Sequence, residues 1–333
     1  MKSLPTSYTA ARKWGIILLL ALASLGAALL SMSFGSTQVP FSEILTALMG
    51  GETQAYNIVV YARLPRTLAA LLCGSALAVG GVIIQGVLGN PLAGPNIIGV
   101  NAGAGLGAVL CAALIPTSMT AVPVAAFLGA LGACMLVYTL ARRTGASRIT
   151  LVLAGVAISS MLSAAIDAVS ILFPEAALGA GSFMVGRLSG VTVAALKVPA
   201  LLAGAGAFAM SYELDLLTLG DEVAQSLGLS ARAARNLLLT LAAVLCGAAV
   251  SFAGLVGFVG LLVPHAARFL VGGEHKYLLA ASLFLGAALV TVCDLAARVL
   301  FVPFELPVGI LLSLMGGPFF LWLLFRQRGG RRT

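Results

Sequence analysis

Long apolar runs, interrupted by short charged or Pro- and Gly-rich breaks, extend over nearly the whole of this sequence. Hydrophobic residues make up 60% of the 333 positions and charged residues only 9%, so the chain has too little polar surface to coat a water-facing globule. A membrane-crossing helix needs about 20 predominantly apolar residues. The sequence therefore predicts an all-α, polytopic membrane protein with about ten transmembrane helices, in one transmembrane domain over residues 1–333.

The breaks set the limits of the predicted spans. The third span is rich in glycine and the eighth is short and contains Pro264, so either segment could re-enter the membrane without crossing it. The first span follows cationic residues, as in a signal peptide, but it is long for one and nine more spans follow, which indicates a retained helix. The ten spans are 14–34, 64–88, 97–115, 119–141, 149–172, 192–211, 233–253, 255–271, 277–300 and 307–325.

The Lys and Arg residues fall mainly on one side of these spans. The side that holds both termini carries all but five of the 19 cationic residues, and this bias predicts cytoplasmic termini. We attribute the net charge of +8 to the cationic residues that orient the chain in the membrane. No basic helix face or basic-aromatic pattern indicates a nucleic-acid partner. The five cationic residues on the other side are Arg63, Arg66, Arg187, Lys197 and Arg298.

The sequence lacks the usual signatures of enzymes and metal sites. No GxxxxGK[ST] loop occurs, so the chain has no ATPase site of that type. No HExxH, GxSxG or CxxC pattern indicates a nucleophile or a metal site, and the five cysteines all fall in apolar segments. We therefore expect no catalytic residue, no bound metal and no cofactor in this chain.

A polar stripe runs along the fifth predicted span. Ser159, Ser163 and Ser170 lie in line with Asp167 at helical spacing. Ionisable groups inside a membrane segment are costly and usually mark function, so we interpret the stripe as a wall of a translocation path. The alternative is packing alone, because serine is small enough to lie between helices.

Asp294 and Arg298 are four residues apart near the end of the ninth span. This spacing places both side chains on one helix face and predicts an ion pair. The pair either anchors that end of the helix or, as one of few charges within the spans, takes part in transport.

The stretch 218–229 is the longest polar segment on the predicted cytoplasmic side. Asp221 and Glu222 open a short run of helix formers and Gly228 can end it, so the pattern predicts a surface helix between spans six and seven. In a chain with such short loops, this helix favours a docking element over an ordinary connecting loop.

Six motifs distributed along the chain are together highly specific for one family. The motifs are Arg63-Leu64-Pro65-Arg66-Thr67, Asn90 to Pro95, Leu153-Ala154-Gly155-Val156-Ala157, Leu219 to Gly228, Gly257 to His265, and Glu305-Leu306-Pro307-Val308-Gly309. On these motifs the chain closely resembles the permease subunits of the FecCD family, which serve type II ABC importers of iron siderophores, haem and vitamin B12.

The resemblance implies the type II ABC importer permease fold and a set of partners. Two permease subunits form a homodimer or pseudo-dimer in that family, and we expect a homodimer here. Two ABC ATPase subunits bind below and carry ATP and Mg²⁺, and an extracytoplasmic substrate-binding protein docks above. The implied location is the cytoplasmic (inner) membrane of a bacterium or archaeon.

The resemblance also implies residue roles at matching positions. Arg63, Arg66 and Arg298 match arginines that pair with acidic residues of the binding protein, and exposed arginines suit bidentate contacts with carboxylates. The polar stripe, with span ten, matches the lining of the central path, and Ala146 and Ser147 fall near its cytoplasmic gate. The ATPase-coupling residues are Leu219, Gly220, Asp221, Glu222, Val223, Ala224, Gln225, Ser226, Leu227 and Gly228.

The sequence thus predicts the permease subunit of an ATP-driven importer that moves a metal chelate by alternating access, a ferric siderophore ahead of haem or cobalamin. Two other classes stay open at this point. An ion-coupled secondary transporter would use Asp167 or Asp294 as its coupling carboxylate. An intramembrane enzyme would need a nucleophile or metal constellation, which the sequence does not show.

Overall fold

The computed structural model describes residues 9–35, 37–51, 55–116, 118, 120–143, 148–190 and 197–329. Within these ranges the chain forms α-helices, one π-helical segment (Ile58–Arg63), one 3₁₀ segment (Pro95–Ile98) and no strand, which confirms the all-α prediction. The α-helices are α1 (Ala10–Ser33), α2 (Phe41–Leu48), α3 (Leu64–Leu88), α4 (Val100–Leu114), α5 (Ala121–Arg143), α6 (Arg148–Leu172), α7 (Pro174–Met184), α8 (Lys197–Ala209), α9 (Ser211–Thr218), α10 (Asp221–Ser226), α11 (Ala231–Ala253), α12 (Val259–Val271), α13 (His275–Val299) and α14 (Val308–Gly329).

Six helical segments of the described chain are long and apolar enough to cross a membrane, and they match predicted spans one, two, four, five, seven and nine. The tenth span corresponds to α14. The third and eighth spans correspond to α4 and α12, which have 15 and 13 residues, or about 20 Å of helix each. The sixth span, 192–211, is described only from residue 197 onward, as α8.

Three helix limits differ from the predicted spans for reasons visible in the backbone. The second span begins earlier, because the π-helical segment continues directly into α3. The third is divided at Gly99, whose φ of +80° separates the 3₁₀ segment from α4. The eighth begins at Val259, because Gly254 (φ +74°) and Phe258 (φ +65°) interrupt the helical path after α11.

Helix α3 lies at the centre of the bundle and packs against α11, α12 and α13. The crossing of α3 and α13 depends on Gly74 and Gly286. A Cβ added at Gly74 would lie 2.0 Å from the Gly286 carbonyl oxygen, and one added at Gly286 would lie 2.4 Å from the Gly74 carbonyl oxygen. Glycine at both positions therefore lets the two backbones touch, as small residues do between membrane helices.

We expect Gly286→Ala to destabilise the protein by about 1–3 kcal/mol, the usual cost of overpacking. The added methyl group meets the backbone of α3, which cannot turn away as a flexible side chain can. The matched control is Gly132→Ala in α5, where an added Cβ has nothing within 4 Å. Thermal unfolding in detergent compares the two variants, and equal melting temperatures would contradict this account of the crossing.

Polar contacts distinguish the two ends of the bundle. At the first, called the Lys13 end, Lys13 Nζ lies 2.8 Å from Glu274 Oε2, so α1 and α13 begin side by side. At the other, called the Arg66 end, Arg298 Nη2 donates to Ser31 Oγ at 2.7 Å and joins the last turns of the same two helices. Helices α1 and α13 therefore run parallel, and α3, which begins at the Arg66 end, runs opposite to both.

Candidate functional site

Arg66, in the first turn of α3, is held by two carboxylates at its end of the bundle. Its Nε lies 3.1 and 3.0 Å from the two carboxylate oxygens of Asp294, and its Nη2 lies 3.0 Å from Asp294 Oδ1. Its Nη1 donates to Glu305 Oε2 at 2.7 Å. The Asp294 side chain is 1% exposed and that of Glu305 is 41% exposed. The guanidinium group thus bridges one buried and one accessible carboxylate.

Arg298 approaches the same buried carboxylate from α13. Its Nε lies 3.2 Å from Asp294 Oδ2, which confirms the predicted ion pair. Its Nη2 donates to the hydroxyl and the carbonyl oxygen of Ser31 at 2.7 and 3.2 Å. Asp294 is therefore shared between two arginines from two helices, which is the arrangement that a buried charge needs.

Arg63, the last residue of the π-helical segment, binds the end of α1 and the chain that follows it. Its Nη1 donates to the carbonyl oxygens of Met32 and Ser33 at 2.6 and 2.9 Å. Its Nη2 donates to the carbonyl oxygen of Thr37. Arg63 thus satisfies carbonyl groups that the end of α1 leaves without a helical partner.

The three predicted docking residues therefore come together, in what we call the arginine cluster: Arg63, Arg66, Asp294, Arg298 and Glu305. Arg63 and Arg298 are each 5% exposed, and the Arg66 side chain is 11% exposed. Their donors point toward groups of this chain, and only Glu305 extends well into the surroundings. The docking role of the arginines stays a prediction.

Glu305 lies in the loop between α13 and α14, outside the membrane-crossing helices. Burial acts to raise its pKa, but the hydrogen bond from Arg66 and the charges of Arg66, Arg298 and Arg187 outweigh burial, so the pKa of Glu305 lies below its ordinary value. The ion pair is therefore complete at neutral pH and is lost only as the pH falls through that lowered pKa. Because 239 positions separate Glu305 from Arg66, no local pattern predicts their contact.

The predicted coupling segment contains α10, bounded by Gly220 (φ +105°) and Gly228 (φ +85°). Its exposed apolar side chains are Leu219, Val223 and Leu227, which are 58%, 44% and 58% exposed. Val223 and Leu227 are four residues apart, a spacing that places side chains on one side of a helix, and Leu219 precedes the break in the helical path at Gly220. This apolar stripe has the form that a helix presents to a groove in a partner protein.

Two polar contacts attach this segment and the helix before it to their neighbours. Asp221, the first residue of α10, forms an ion pair with Arg235 of α11. On the preceding helix, α9, Asp215 Oδ1 lies 2.6 Å from His275 Nδ1 and accepts the His275 backbone N–H at 3.1 Å. His275 opens α13. The coupling segment therefore lies at the Lys13 end, opposite to the arginine cluster.

The predicted polar stripe lies on α6. Ser163 and Asp167 are exposed on the surface of the single chain, and Ser159 and Ser170 are partly buried. Ser159 Oγ donates to the Asn96 carbonyl oxygen at 3.4 Å. The middle of the stripe thus faces away from the helix bundle, and its role as a path wall stays a prediction.

The predicted gate residues, Ala146 and Ser147, lie outside the described residues. Across the ranges that are described, no group of three or more His, Cys, Asp or Glu side chains could hold a metal ion.

Comparison with known proteins identifies the family. The model of the FecCD transport family matches residues 19–326. The chain belongs to the FecCD transport family. This confirms the resemblance carried by the sequence motifs.

Relatives of this FecCD-family chain are transport permeases that it matches over nearly their full length. The Fe(3+) dicitrate transport system permease protein FecD of Escherichia coli is 38% identical over 95% of this chain and 100% of its own. The ferric enterobactin transport system permease protein FepD of Escherichia coli is 39% identical, over 95% and 96%. The hemin transport system permease protein HmuU of Yersinia pestis is 37% identical, over 95% and 96%.

Solved structures show the fold of this FecCD-family chain. A metal-chelate type ABC transporter in an inward-facing conformation matches with a TM-score of 0.82 and 29% identity, over 94% of this chain and 99% of that chain. PsaBC from Streptococcus pneumoniae matches with a TM-score of 0.57 and 16% identity, over 85% and 94% of the two chains, and this likeness concerns the fold alone. The prediction of an ABC importer permease fold is confirmed.

Proposed function

We propose that this chain is the transmembrane permease subunit of an ATP-driven importer that carries a metal chelate into the cytoplasm. The observation that carries the proposal is membership of the FecCD transport family over residues 19–326. Relatives named for the transport of ferric dicitrate, ferric enterobactin and hemin support the substrate class. A ferric siderophore is the substrate we favour, and haem and cobalamin are the alternatives.

ATP hydrolysis belongs to two partner ATPase subunits, which carry the ATP and Mg²⁺, and this chain needs no cofactor of its own. The absence of a P-loop from the sequence supports this division of labour. The coupling segment offers the apolar stripe of Leu219, Val223 and Leu227 to a groove in each ATPase subunit. The pair of Asp221 and Arg235 passes movement of that segment to α11, and alternating access follows as the helices at the path rearrange.

A second copy of the chain completes the translocation path. Asp167 is exposed on α6 in the single chain, and a carboxylate within a membrane span is costly where it contacts lipid. In a dimer whose two α6 helices line an aqueous path, Asp167 would contact water instead of lipid. Serine hydroxyls and a single carboxylate form a weakly binding wall, from which a large chelate can leave.

The Lys13 end faces the cytoplasm and the Arg66 end faces the binding protein, in the inner membrane of a bacterium or archaeon. The excess of Lys and Arg on the side that holds both termini supports this orientation. It puts the coupling segment beside the ATPase subunits and the arginine cluster beside the substrate-binding protein. Carboxylates of that protein are suited to bind guanidinium groups.

The ion-coupled alternative has no supporting observation. It requires an available carboxylate within a span, yet Asp294 is engaged by both Arg66 and Arg298. The family membership argues against it as well. The exposed Asp167 is better explained as part of a water-lined wall between two copies.

Purification of the tagged protein from its native cell in mild detergent tests the proposal. We expect a P-loop ATPase to co-purify, identified by mass spectrometry, and the complex to hydrolyse ATP in a vanadate-sensitive manner. A chain recovered alone, without ATPase activity and with uptake that collapses together with the proton or sodium gradient, would contradict the proposal and favour an ion-coupled carrier.

A further inference from the structure

The arginine cluster presents a problem for docking, because its guanidinium groups already have acceptors in this chain. Arg63 gives its donors to carbonyl oxygens at the end of α1. Arg298 gives its donors to Ser31 and Asp294. The Nε and Nη2 atoms of Arg66 are both held by Asp294. A carboxylate from a partner protein therefore approaches Arg66 where Glu305 already lies against Nη1, and it competes with Glu305 for that nitrogen.

Glu305 is the group of the cluster that can be displaced at the lowest cost. Asp294 is 1% exposed and is bound by two arginines, so its removal would leave buried charges unpaired. Glu305 is 41% exposed and makes one contact in the cluster, to Arg66 Nη1 at 2.7 Å. The ion pair reaches water through Glu305, and pairs in contact with water are weaker than buried ones. A carboxylate released from it regains water at once.

We propose that Glu305 is an internal placeholder that occupies Arg66 Nη1 until a carboxylate of the docked binding protein replaces it. The inference rests on the proposed function, because it requires a partner with acidic residues at the Arg66 end. The exchange conserves charge at Arg66, since one carboxylate leaves as another arrives. Its cost is therefore small, and docking stays reversible.

The position of Glu305 connects this exchange with the path. The next residue, Leu306, donates its backbone N–H to the Ala297 carbonyl oxygen at 3.2 Å, and α14 begins at Val308. Gly309, in the first turn of α14, donates to the Gly186 carbonyl oxygen at 3.2 Å. Glu305 thus lies in the loop that leads into α14, one of the two helices assigned to the path. Both backbone hydrogen bonds stay in place when the Glu305 side chain leaves Arg66, so the exchange removes only the side-chain anchor of this loop.

Glu305→Gln tests the exchange in the permease–ATPase complex reconstituted in nanodiscs, with the substrate-binding protein that co-purifies from the native membrane as the probe. Glutamine keeps the size of the side chain but is a weaker acceptor for a guanidinium group. We expect the Kd for docking to fall about three- to fivefold, the scale of an exposed ion pair. The matched control is Glu175→Gln, an exposed acid in the first turn of α7, which removes the same charge without touching an arginine of the cluster.

A second pair of variants separates the placeholder role from general electrostatics. Arg66→Gln should weaken docking at least about tenfold, and Glu305→Gln should have no further effect in that background. If Arg66→Gln does not yield folded complex, Arg66→Lys replaces it, because lysine keeps the charge and loses the bidentate fork.

Each outcome decides either the placeholder role of Glu305 or the docking role of the arginines. Tighter docking of Glu305→Gln alone, lost in the Arg66 variant, supports the placeholder role. Equal docking of Glu305→Gln and Glu175→Gln, with weakened docking of Arg66→Gln, overturns the placeholder role and leaves the docking proposal standing. If neither Arg66→Gln nor Glu305→Gln changes the Kd for docking, or if the complex recruits no binding protein, the docking assignment is overturned and the inference with it.

Discussion

We expect Val223→Asp to abolish assembly of the permease with its ATPase subunits. Val223 is 44% exposed at the middle of the apolar stripe on the coupling segment. A charge at the centre of a desolvated groove has no partner there, and such losses amount to several kcal/mol. Aspartate in the first turn of α10 is compatible with the helix, so the variant should fold. Co-purification of the ATPase with the tagged permease measures the loss.

Gln225→Asp is the matched control for this substitution. Gln225 is exposed on the same short helix, but a helical spacing of two places it away from the stripe of Leu219, Val223 and Leu227. We expect Gln225→Asp to retain the ATPase subunits and most of the ATP hydrolysis. Retention of both by Val223→Asp as well would remove this segment from the ATPase interface.

The membrane helices could be predicted because lipid imposes two requirements on the same residues. The side chains must be apolar and the backbone must close its own hydrogen bonds over about 20 positions. The predicted spans 14–34 and 277–300 accordingly correspond to Ala10–Ser33 and His275–Val299. Their limits differ by about one turn, since helix ends continue into the polar region at the membrane surface.

The short helices could not be predicted by the same reasoning. Helices α2 and α7 have 8 and 11 residues, which is less than the length that a span requires. Helix α2 is stabilised by a small separate core that includes Ile44, Ala47 and Val59. The sequence of α2 does carry an apolar pattern at helical spacing, in Phe41, Ile44, Leu45 and Leu48. A pattern of only two turns is too short to be found by a search for membrane spans.

The arginine cluster contains one contact that local sequence spacing predicts and one that it does not. Asp294 and Arg298 are neighbours on one helix, so their separation of four residues predicts their contact. Arg66 contacts the same carboxylate from 228 positions away, and nothing in the sequence near Arg66 records that contact. Sequence reasoning therefore placed Arg66 on the exposed surface, where the structure shows it mostly buried and already paired.

Asp294→Ala should have the largest effect on folding of any substitution in the cluster. Its carboxylate is shared by Arg66 and Arg298. Its removal leaves Arg298 without a carboxylate, and Arg66 with Glu305 alone, in a site where Asp294 itself is 1% exposed. Loss of one partner from a buried ion pair costs about 3–5 kcal/mol. We expect Asp294→Asn to be destabilised as well, because it keeps the shape of the side chain and removes the charge.

Asp167→Ala is the control for Asp294→Ala. Asp167 is an exposed carboxylate on α6, and removal of such a group changes stability by no more than about 0.5 kcal/mol. Melting temperatures and monodisperse yield in detergent compare the three variants. If Asp294 served ion coupling instead, Asp294→Asn would fold with normal stability and lose only gradient-driven uptake. Loss of stability by both Asp294 variants, with Asp167→Ala unchanged, would identify Asp294 as the charge that holds α3 and α13 together at the Arg66 end.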